Sequence, residues 1–232
     1  MKKIFLFFVI GTFYFSTVSW EVDLVDHDVD IEISSRSSLT LYHQLNNSDL
    51  KFEVFEYALK GYLNLISQNK LDNTKYLTII DMNMSANLKR LFIINMDEKK
   101  IEHQSIVAHG RASGNEFAEN FSNKINSHQS SIGFYQTAET YFGKHGLSLR
   151  LDGLEYSNSN ARKRAIVIHS ADYVSQSFIK EFGRLGRSFG CPSLPKKDYK
   201  EIIQKIKAGS ALFIYSSDQD YLIKSSLVRE VS

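Results

Sequence analysis

Between residues 75 and 215 the chain contains six short runs rich in β-branched and aromatic residues, and these limit the fold to one built around a sheet. Turn residues or long loops separate most of the runs. This arrangement predicts a mainly antiparallel sheet and a mainly β fold class. The runs are YLTIID (76–81), LFIINM (91–96), SIVAH (105–109), LSLRL (147–151), AIVIH (165–169) and ALFIY (211–215).

Three other segments have the spacing of amphipathic helices, at 50–68, 172–182 and 196–207. In the first of them we expect one apolar face, which packs on the domain that follows. Its residues are Phe55, Ala58, Leu59, Tyr62, Leu63 and Ile66. Residues 21–36 are acidic and alternate only briefly between apolar and polar side chains, so they predict an extended or poorly ordered leader.

The first 19 residues have the layout of a secretory signal peptide, with a basic start, an apolar run at 4–15 and small residues before a cleavage site after Ser19. An uncleaved anchor is the alternative, although the apolar run is short for a membrane span. We expect an exported protein of the periplasm or cell envelope, without stable membrane insertion after signal cleavage. The expected organisation is a signal peptide (1–19), an N-terminal leader and amphipathic helix (20–74), a β-rich domain (75–218) and a C-terminal tail (219–232).

The charge is nearly balanced, with 28 basic and 26 acidic residues and a formal net charge of +2. This balance gives no reason to expect a nucleic acid partner. Five histidines, His103, His109, His128, His145 and His169, fall in the central part of the chain, but none has the spacing of a metal site. We therefore predict no metal and no cofactor, and the sequence gives no prediction of oligomeric state.

Cys191 is the only cysteine, within GRLGRSFGCPSLP (183–195). In an exported protein an unpaired cysteine indicates an intermolecular disulfide or a free reactive thiol. A buried cysteine that acts as a small apolar residue is the third interpretation. Arg184 and Arg187 lie close in sequence and could favour the thiolate, which is the nucleophilic form.

The neighbourhood of Cys191 favours the reactive thiol. His169 ends a predicted strand, and an imidazole there could accept the thiol proton and return it to a leaving amine. Gly190 leaves room for a substrate, and a tight turn at this point could direct backbone N–H groups at an oxyanion. Pro192 fixes the chain after the thiol. Ser188 could hydrogen-bond the histidine or the substrate, or simply cap the turn.

His169 followed by Ser188-Phe189-Gly190-Cys191 resembles the catalytic domain of the murein L,D-transpeptidases, the YkuD-like enzymes of bacterial peptidoglycan. The likeness covers residues 75–215. Its blocks are VAHGRASG (107–114), FSN (121–123), SSIGFYQTAETYFGKHGLSLRLDGLE (130–155), ARKRAIVIH (161–169) and GRLGRSFGCPSLP (183–195).

The resemblance implies a mainly β catalytic domain that acts on peptidoglycan stem peptides. By position Cys191 is the nucleophile, His169 the base, and Gly190 with the Cys191 amide the oxyanion support. Ser188 matches the Ser/Thr of the signature. The implied reaction releases a terminal D-alanine, forms a thioester and transfers it to an amine as a 3-3 cross-link. Two alternatives stay open, an L,D-carboxypeptidase with water as acceptor and a non-catalytic envelope protein that binds stem peptides.

The chain departs from the commoner pattern of the family at three positions. Phe189 replaces a histidine, Ser193 replaces an arginine or asparagine, and Ser170 replaces the glycine after His169. The first two departures affect substrate anchoring and acceptor preference.

Other residues are candidates for that anchoring. Arg184 or Arg187 could bind a stem-peptide carboxylate, with structural roles equally open. His145, like His109, precedes a glycine within a matched block, and we count it among the substrate-binding candidates. The polar stretch at 120–133 either lines the site or is plain surface.

Overall fold

The computed structural model describes residues 27–229 of the chain, with side chains from residue 36 onward. Within this range there are eight strands and five helices. The strands are β1 (Asn73–Asp81), β2 (Leu91–Asn95), β3 (Lys100–Ser105), β4 (Gly133–Gly143), β5 (Gly146–Gly153), β6 (Val167–Ser170), β7 (Ser193–Leu194) and β8 (Ser210–Tyr215). The helices are α1 (His27–Leu45), α2 (Phe52–Ser67), α3 (Gln176–Phe182), α4 (Tyr199–Ile206) and α5 (Gln219–Lys224).

All eight strands form one sheet in the order β3-β2-β1-β8-β4-β5-β6-β7. The pairs β1–β8 and β6–β7 are parallel, and the other neighbouring pairs are antiparallel. The prediction of a mainly β fold with a mostly antiparallel sheet is therefore confirmed. The last strand in sequence, β8, lies in the middle of the sheet and joins β1 to β4.

The core surrounds this central strand. All six residues of β8 are buried, so both faces of the sheet are covered there. Helix α2 packs against β1 and β8, and α4 packs against β1, β5 and β6. The approach of α2 is close, because a Cβ at Gly61 would collide with the ring of Phe134, which itself stacks on Phe213 with 4.3 Å between ring centroids.

Five of the six predicted runs lie in strands, and the run at 105–109 is wrong as a strand. Strand β3 ends at Ser105. Beyond it the backbone leaves β2, and Ala108 instead exchanges hydrogen bonds with Ser193, at 2.9 and 3.3 Å. Sequence inspection also missed β4, whose polar residues and register shift between Thr137 and Thr140 obscure its alternation.

An extended or poorly ordered leader is predicted at 21–36, but α1 begins at His27, so the prediction of an extended backbone is wrong from that residue onward. Helix α1 packs against α2, and at its C-terminal end Tyr42 donates a hydrogen bond to the carbonyl of Leu50, at 2.6 Å. These tertiary contacts stabilise a helix that its polar sequence did not indicate. The predicted signal peptide at 1–19 lies outside the described residues. Of the helices in residues 27–229, none has both the length and the hydropathy of a membrane span.

The other predicted helices form, with shifted bounds. Helix α2 turns a slightly different face inward, because Leu63 is exposed while Val54 and Leu65 are buried. Helix α3 begins at Gln176 instead of residue 172, since Ser175 caps it by accepting a hydrogen bond from the Phe178 N–H, at 3.2 Å.

Residues 219–229, predicted only as a tail, pack onto the domain. The hydroxyls of Tyr221 and Ser225 donate to the buried carboxylate of Glu155, the former at 2.8 Å. The Phe134 N–H donates to the same carboxylate at 2.6 Å. Desolvation raises the pKa of Glu155, and these donors oppose the rise. The C-terminal helix is therefore fastened to β4 through a polar cluster inside the protein.

Candidate active site

Cys191 stands at the end of a tight turn that only glycine can form. Gly190 has a φ of 125°, a backbone conformation that residues with a Cβ rarely adopt. A Cβ there would lie 2.8 Å from the Gln129 carbonyl oxygen and 3.1 Å from Nη2 of Arg164. Ser188 closes the turn, since its Oγ accepts from the Gly190 N–H at 3.0 Å and donates to the Cys191 carbonyl at 2.6 Å. The placement of Ser188 is thus within the turn.

The thiol itself is partly buried and lies near the residues that precede β6, with Sγ 3.7 Å from the carbonyl oxygen of Ala165. Burial raises the pKa of Cys191, and the Val167 N–H and the Arg164 charge oppose this rise only in part. The resting thiol is therefore protonated at neutral pH, and it needs a base before it can attack.

His169 is buried on β6 and hydrogen-bonded through both ring nitrogens. Nδ1 lies 2.9 Å from the Ser170 carbonyl, and Nε2 lies 3.0 Å from Oγ of Ser193, which is in turn 3.1 Å from the hydroxyl of Tyr173. A carbonyl can only accept, so Nδ1 carries the proton and Nε2 offers its lone pair. Desolvation lowers the pKa of His169, which keeps the imidazole neutral and ready to accept a proton.

The parallel pairing of β6 with β7 places His169 opposite Ser193, two residues after the thiol. The pairing brings the chain that follows the thiol alongside the strand that carries His169. Within residues 36–229 no hydrogen bond joins Cys191 to His169, because each is bonded elsewhere. The resting pair is thus a neutral thiol and a neutral imidazole. Sequence analysis counted Ser193 only as a departure from the family pattern, whereas the structure makes it a hydrogen-bond partner of His169.

The polar stretch at 120–133 contacts the turn at residues 188–191 and lines the site. Ser130 Oγ accepts from the Gly110 N–H at 3.0 Å and donates to the Gly190 carbonyl at 3.2 Å. Of the two interpretations of this stretch, a site-lining loop is the one that the contacts support.

A half-buried arginine that sequence analysis overlooked, Arg164, fastens this loop. Its Nη1 donates to the Ser122 carbonyl and to Ser131 Oγ, both at 2.6 Å. Its Nη2 donates to Ser127 Oγ at 3.2 Å and to the Gln129 carbonyl at 2.5 Å. Arg164 is also the guanidinium that lowers the pKa of the thiol. The only sequence signal was its position within the matched block ARKRAIVIH.

His145 lies on the imidazole of His169. The two rings stack with 4.4 Å between centroids and 29° between planes, and the Ser170 hydroxyl donates to the His145 carbonyl at 3.3 Å. Partial desolvation and the nearby Lys144 lower the pKa of His145. The structure therefore places this predicted substrate-binding residue against the base.

His109, the other histidine before a glycine, is buried away from solvent. Buried Arg90 donates to its Nδ1 at 2.8 Å, and desolvation and this charge lower the pKa of His109 to about 3. Burial likewise lowers the pKa of Arg90 to about 9. His109 remains neutral and supports the turn, since its carbonyl accepts from the Ser188 N–H at 2.9 Å.

Arg184 and Arg187 make their contacts with backbone and amide oxygens. Arg184 donates to the carbonyl of Leu185 at 2.9 Å. Arg187 donates to the Gly114 carbonyl and to Oδ1 of Asn115, both at 2.9 Å. Burial, followed by the charges of Arg184 and Arg111, lowers the pKa of Arg187. Arg187 thus braces the turn at 111–115.

Phe189 is 64% exposed at the mouth of the site. The guanidinium of Arg111 lies over its ring, with 4.5 Å from Cζ to the ring centroid. His128 also contacts the ring, at 4.8 Å between centroids. Sequence analysis did not single out Arg111, because its partner is distant along the chain.

Among residues 36–229 no three His, Cys, Asp or Glu side chains are grouped so that they could hold a metal ion. The chemistry that this arrangement can perform with its own groups is nucleophilic attack by a thiol, with a neutral imidazole available to move the proton.

In a comparison with known families, residues 46–215 match the model described as the L,D-transpeptidase catalytic domain. No curated protein matches the chain in sequence. The family resemblance stated from the motifs is confirmed.

Several solved structures are similar. An L,D-transpeptidase from Mycobacterium smegmatis is 10% identical with a TM-score of 0.38, and the alignment covers 61% of this chain and 59% of that one. For L,D-transpeptidase 3 from Mycobacterium tuberculosis the values are 10%, 0.38, 61% and 61%. For the helical cell shape determining protein Pgp2 from Campylobacter jejuni they are 13%, 0.40, 68% and 54%. The chain spans less than two thirds of the length of each.

Proposed function

The chain belongs to the L,D-transpeptidase catalytic domain family, and from this premise we propose that it is a cysteine-dependent L,D-transpeptidase that forms 3-3 cross-links between peptidoglycan stem peptides. The observation that carries the proposal is the Cys191 thiol on a glycine turn beside the strand of a buried, neutral His169. The family acts on cell-wall peptidoglycan. The signal peptide predicted at 1–19 supports export of this protein to the same compartment.

The proposed reaction begins from the neutral pair. The Cys191 proton passes to Nε2 of His169 after the Ser193 hydroxyl rotates away or relays it. The sulfur then bonds to the carbonyl carbon that joins diaminopimelate to the terminal D-amino acid. As the C–N bond breaks, the imidazolium returns the proton to the leaving amine and a thioester remains.

The second half of the reaction resolves the thioester. An amine of another stem peptide attacks the carbonyl, gives a proton to the imidazole and expels the sulfur, which regains a proton as the free thiol. Ser188 already occupies the Gly190 N–H, so the Cys191 N–H is the amide that we assign to the oxyanion. Gly190 contributes steric clearance in this scheme.

The test is incubation of the purified protein with disaccharide-tetrapeptide, with products identified by mass spectrometry. A cross-linked dimer with release of the D-amino acid supports the proposal. Release without a dimer identifies the L,D-carboxypeptidase instead. Folded protein that forms neither product is not an enzyme of this class, and a stem-peptide binding protein becomes the interpretation.

Two variants test the assigned roles. Cys191→Ala should lower kcat on the order of 10³-fold or more, because no other thiol exists to form the thioester. His169→Ala should lower it by about 10²–10⁴-fold. His43→Ala, on an exposed face of α1, is the matched control and should leave kcat unchanged. Full activity in the Cys191 variant would eliminate the thioester mechanism.

A further inference from the structure

Three side chains at the mouth of the site form what we call the Arg111 platform, namely Arg111, His128 and Phe189. Arg111 Cζ lies 4.5 Å from the centroid of the Phe189 ring, and Arg111 Nη2 lies 3.1 Å from Nδ1 of His128. The rings of His128 and Phe189 are 4.8 Å apart. The guanidinium is therefore held in place by two rings while it stays exposed to solvent.

Backbone hydrogen bonds connect this platform to the turn at residues 188–191. The Arg111 N–H donates to the Ser188 carbonyl at 2.7 Å, and the Ala112 N–H donates to the His128 carbonyl at 3.1 Å. Phe189 itself precedes Cys191 by two residues. The platform thus borders the thiol through short covalent and hydrogen-bonded connections, and it does not depend on a mobile terminus or on a distant element.

The charge of the platform is uncompensated. Throughout the described part of the chain with side chains, no carboxylate forms an ion pair with Arg111. Two further guanidinium groups are near, since the charges of Arg184 and Arg111 both act on Arg187. Arg184 and Arg187 make their hydrogen bonds to protein oxygens, whereas Arg111 presents its remaining N–H groups to solvent. An ordered, exposed guanidinium beside a nucleophile is suited to bind a carboxylate.

We propose that Arg111, held by Phe189 and His128, binds the free carboxylate of the terminal D-amino acid in the donor stem peptide. This inference rests on the proposed function, which places the scissile carbonyl at Cys191. The terminal carboxylate is one residue beyond that carbonyl, a separation of about 4 Å between successive residues. On the protein side, the ring that supports the guanidinium belongs to Phe189, two residues before Cys191. The platform thereby replaces the anchoring residue that Ser193 does not supply.

The test measures binding, so that it does not depend on turnover. In a Cys191→Ala background, calorimetry compares a stem tetrapeptide that ends in D-alanine with the same peptide ending in D-alanine amide. The carboxylate form should bind about 10–100-fold more tightly, because a charge-assisted hydrogen bond is lost in the amide. Adding Arg111→Gln should abolish this preference, while Arg111→Lys should retain part of it. If Cys191→Ala does not fold, Cys191→Ser serves as the background.

Arg162→Gln is the matched control, since it removes an exposed guanidinium that is paired with Glu139 and Asp152 and leaves the platform intact. It should keep the preference for the carboxylate. Phe189→Leu should reduce the preference, because the guanidinium loses the ring on which it rests. A preference that persists in Arg111→Gln, or that is absent from the background protein, would overturn the proposal.

Turnover separates this inference from the function on which it rests. In the otherwise unaltered protein, Arg111→Gln should lower kcat/KM for the carboxylate peptide and spare the amide. An equal fall for both peptides refutes the carboxylate site while leaving the transpeptidase in place. Selective binding of the carboxylate by a protein that shows no turnover would support the carboxylate site and refute the transpeptidase.

Discussion

Phe189 precedes Cys191 by two residues and Ser193 follows it by two, yet their surroundings differ completely. Ser193 is fully buried and hydrogen-bonds His169 and Tyr173. Phe189 is 64% exposed and supports an arginine that forms no ion pair among the described residues. Both positions depart from the commoner family pattern.

The contrast separates two tasks of one short segment. On the Ser193 side the polar groups are satisfied by one another, which fixes the tautomer of His169. On the Phe189 side hydrogen-bonding capacity is left over, which only a ligand or solvent can use. A change on the buried side should therefore alter the chemical step, and a change on the exposed side should alter the choice of substrate.

Among the changes that test this contrast, the largest effect should come from Arg164→Ala, which would break the separation between the two sides. Four hydrogen bonds to residues 122–131 disappear, and the thiolate loses its nearby cation. We expect kcat/KM to fall about 100-fold or more and the free energy of unfolding to fall by about 2–4 kcal/mol. The pKa of Cys191 should rise further, as measured by alkylation rate against pH.

Arg162→Ala is the control for this prediction. Arg162 also makes several bonds, but with Asp152 and Glu139 on the exposed surface. Its loss should cost no more than about 1 kcal/mol in urea denaturation and leave kcat/KM unchanged. If both variants behaved alike, Arg164 would have no special relation to the site.

An intermediate effect is expected from Ser193→Ala, which sharpens the comparison on the buried side. Without the hydroxyl, the lone pair of Nε2 loses the donor that favours the neutral imidazole. The pKa of His169 should rise toward its ordinary value, so the acidic limb of kcat/KM moves to higher pH, and kcat should fall about tenfold. KM should change little.

Ser170→Ala is the matched serine for that experiment. Its backbone carbonyl, not its hydroxyl, holds Nδ1 of His169, so this variant should keep the parent pH profile. A change in KM without a change in the profile of Ser193→Ala would assign Ser193 to the substrate and not to the base.

The smallest effect should follow from His145→Asn. The stacked His145 and the adjacent Lys144 both add to the lowering of the His169 pKa, after desolvation. The acidic limb should therefore move slightly to higher pH, and a nuclear magnetic resonance titration of His169 should follow it. An unchanged or lower limb contradicts the prediction.

The same pKa shift has a consequence for stability. Because the pKa of His169 in the folded protein lies below its ordinary value of 6.5, the unfolded chain binds more protons near this pH. The contribution of His169 to the free energy of unfolding is thus fully present above pH 6.5, and it is lost as the pH falls through the pKa of His169 in the folded protein. His145→Asn should make this loss smaller.

Local patterns predicted the sheet well and the site only in outline. Runs such as those of β1 and β8 are apolar enough to indicate strands by themselves, and α2 shows its periodicity. Strand β4 carries polar residues and a register shift, so its pairing is a property of its neighbours. Helix α1 likewise depends on contacts with α2 that its own residues do not announce.

The same distinction applies to the site. Cys191, Gly190 and His169 were found because a motif names residue types at fixed order. Arg184 and Arg187 were chosen for nearness in sequence to the thiol, but the cation that acts on it is Arg164. Ser193 and Tyr173 lie beside His169, and Arg111 lies over Phe189, only because of tertiary structure. The sequence contains no local signal for these contacts.

The position of β8 in the middle of the sheet has a consequence for biosynthesis. On the ribosome, β1–β3 emerge first and β4–β7 later, but the strand that pairs with both sets is synthesised last of the eight. Until residue 215 has left the exit tunnel, β1 and β4 each expose an edge that invites pairing with other chains. Completion of the sheet is therefore expected to wait for β8 and to be slow, with a long interval in which chaperones can bind the chain.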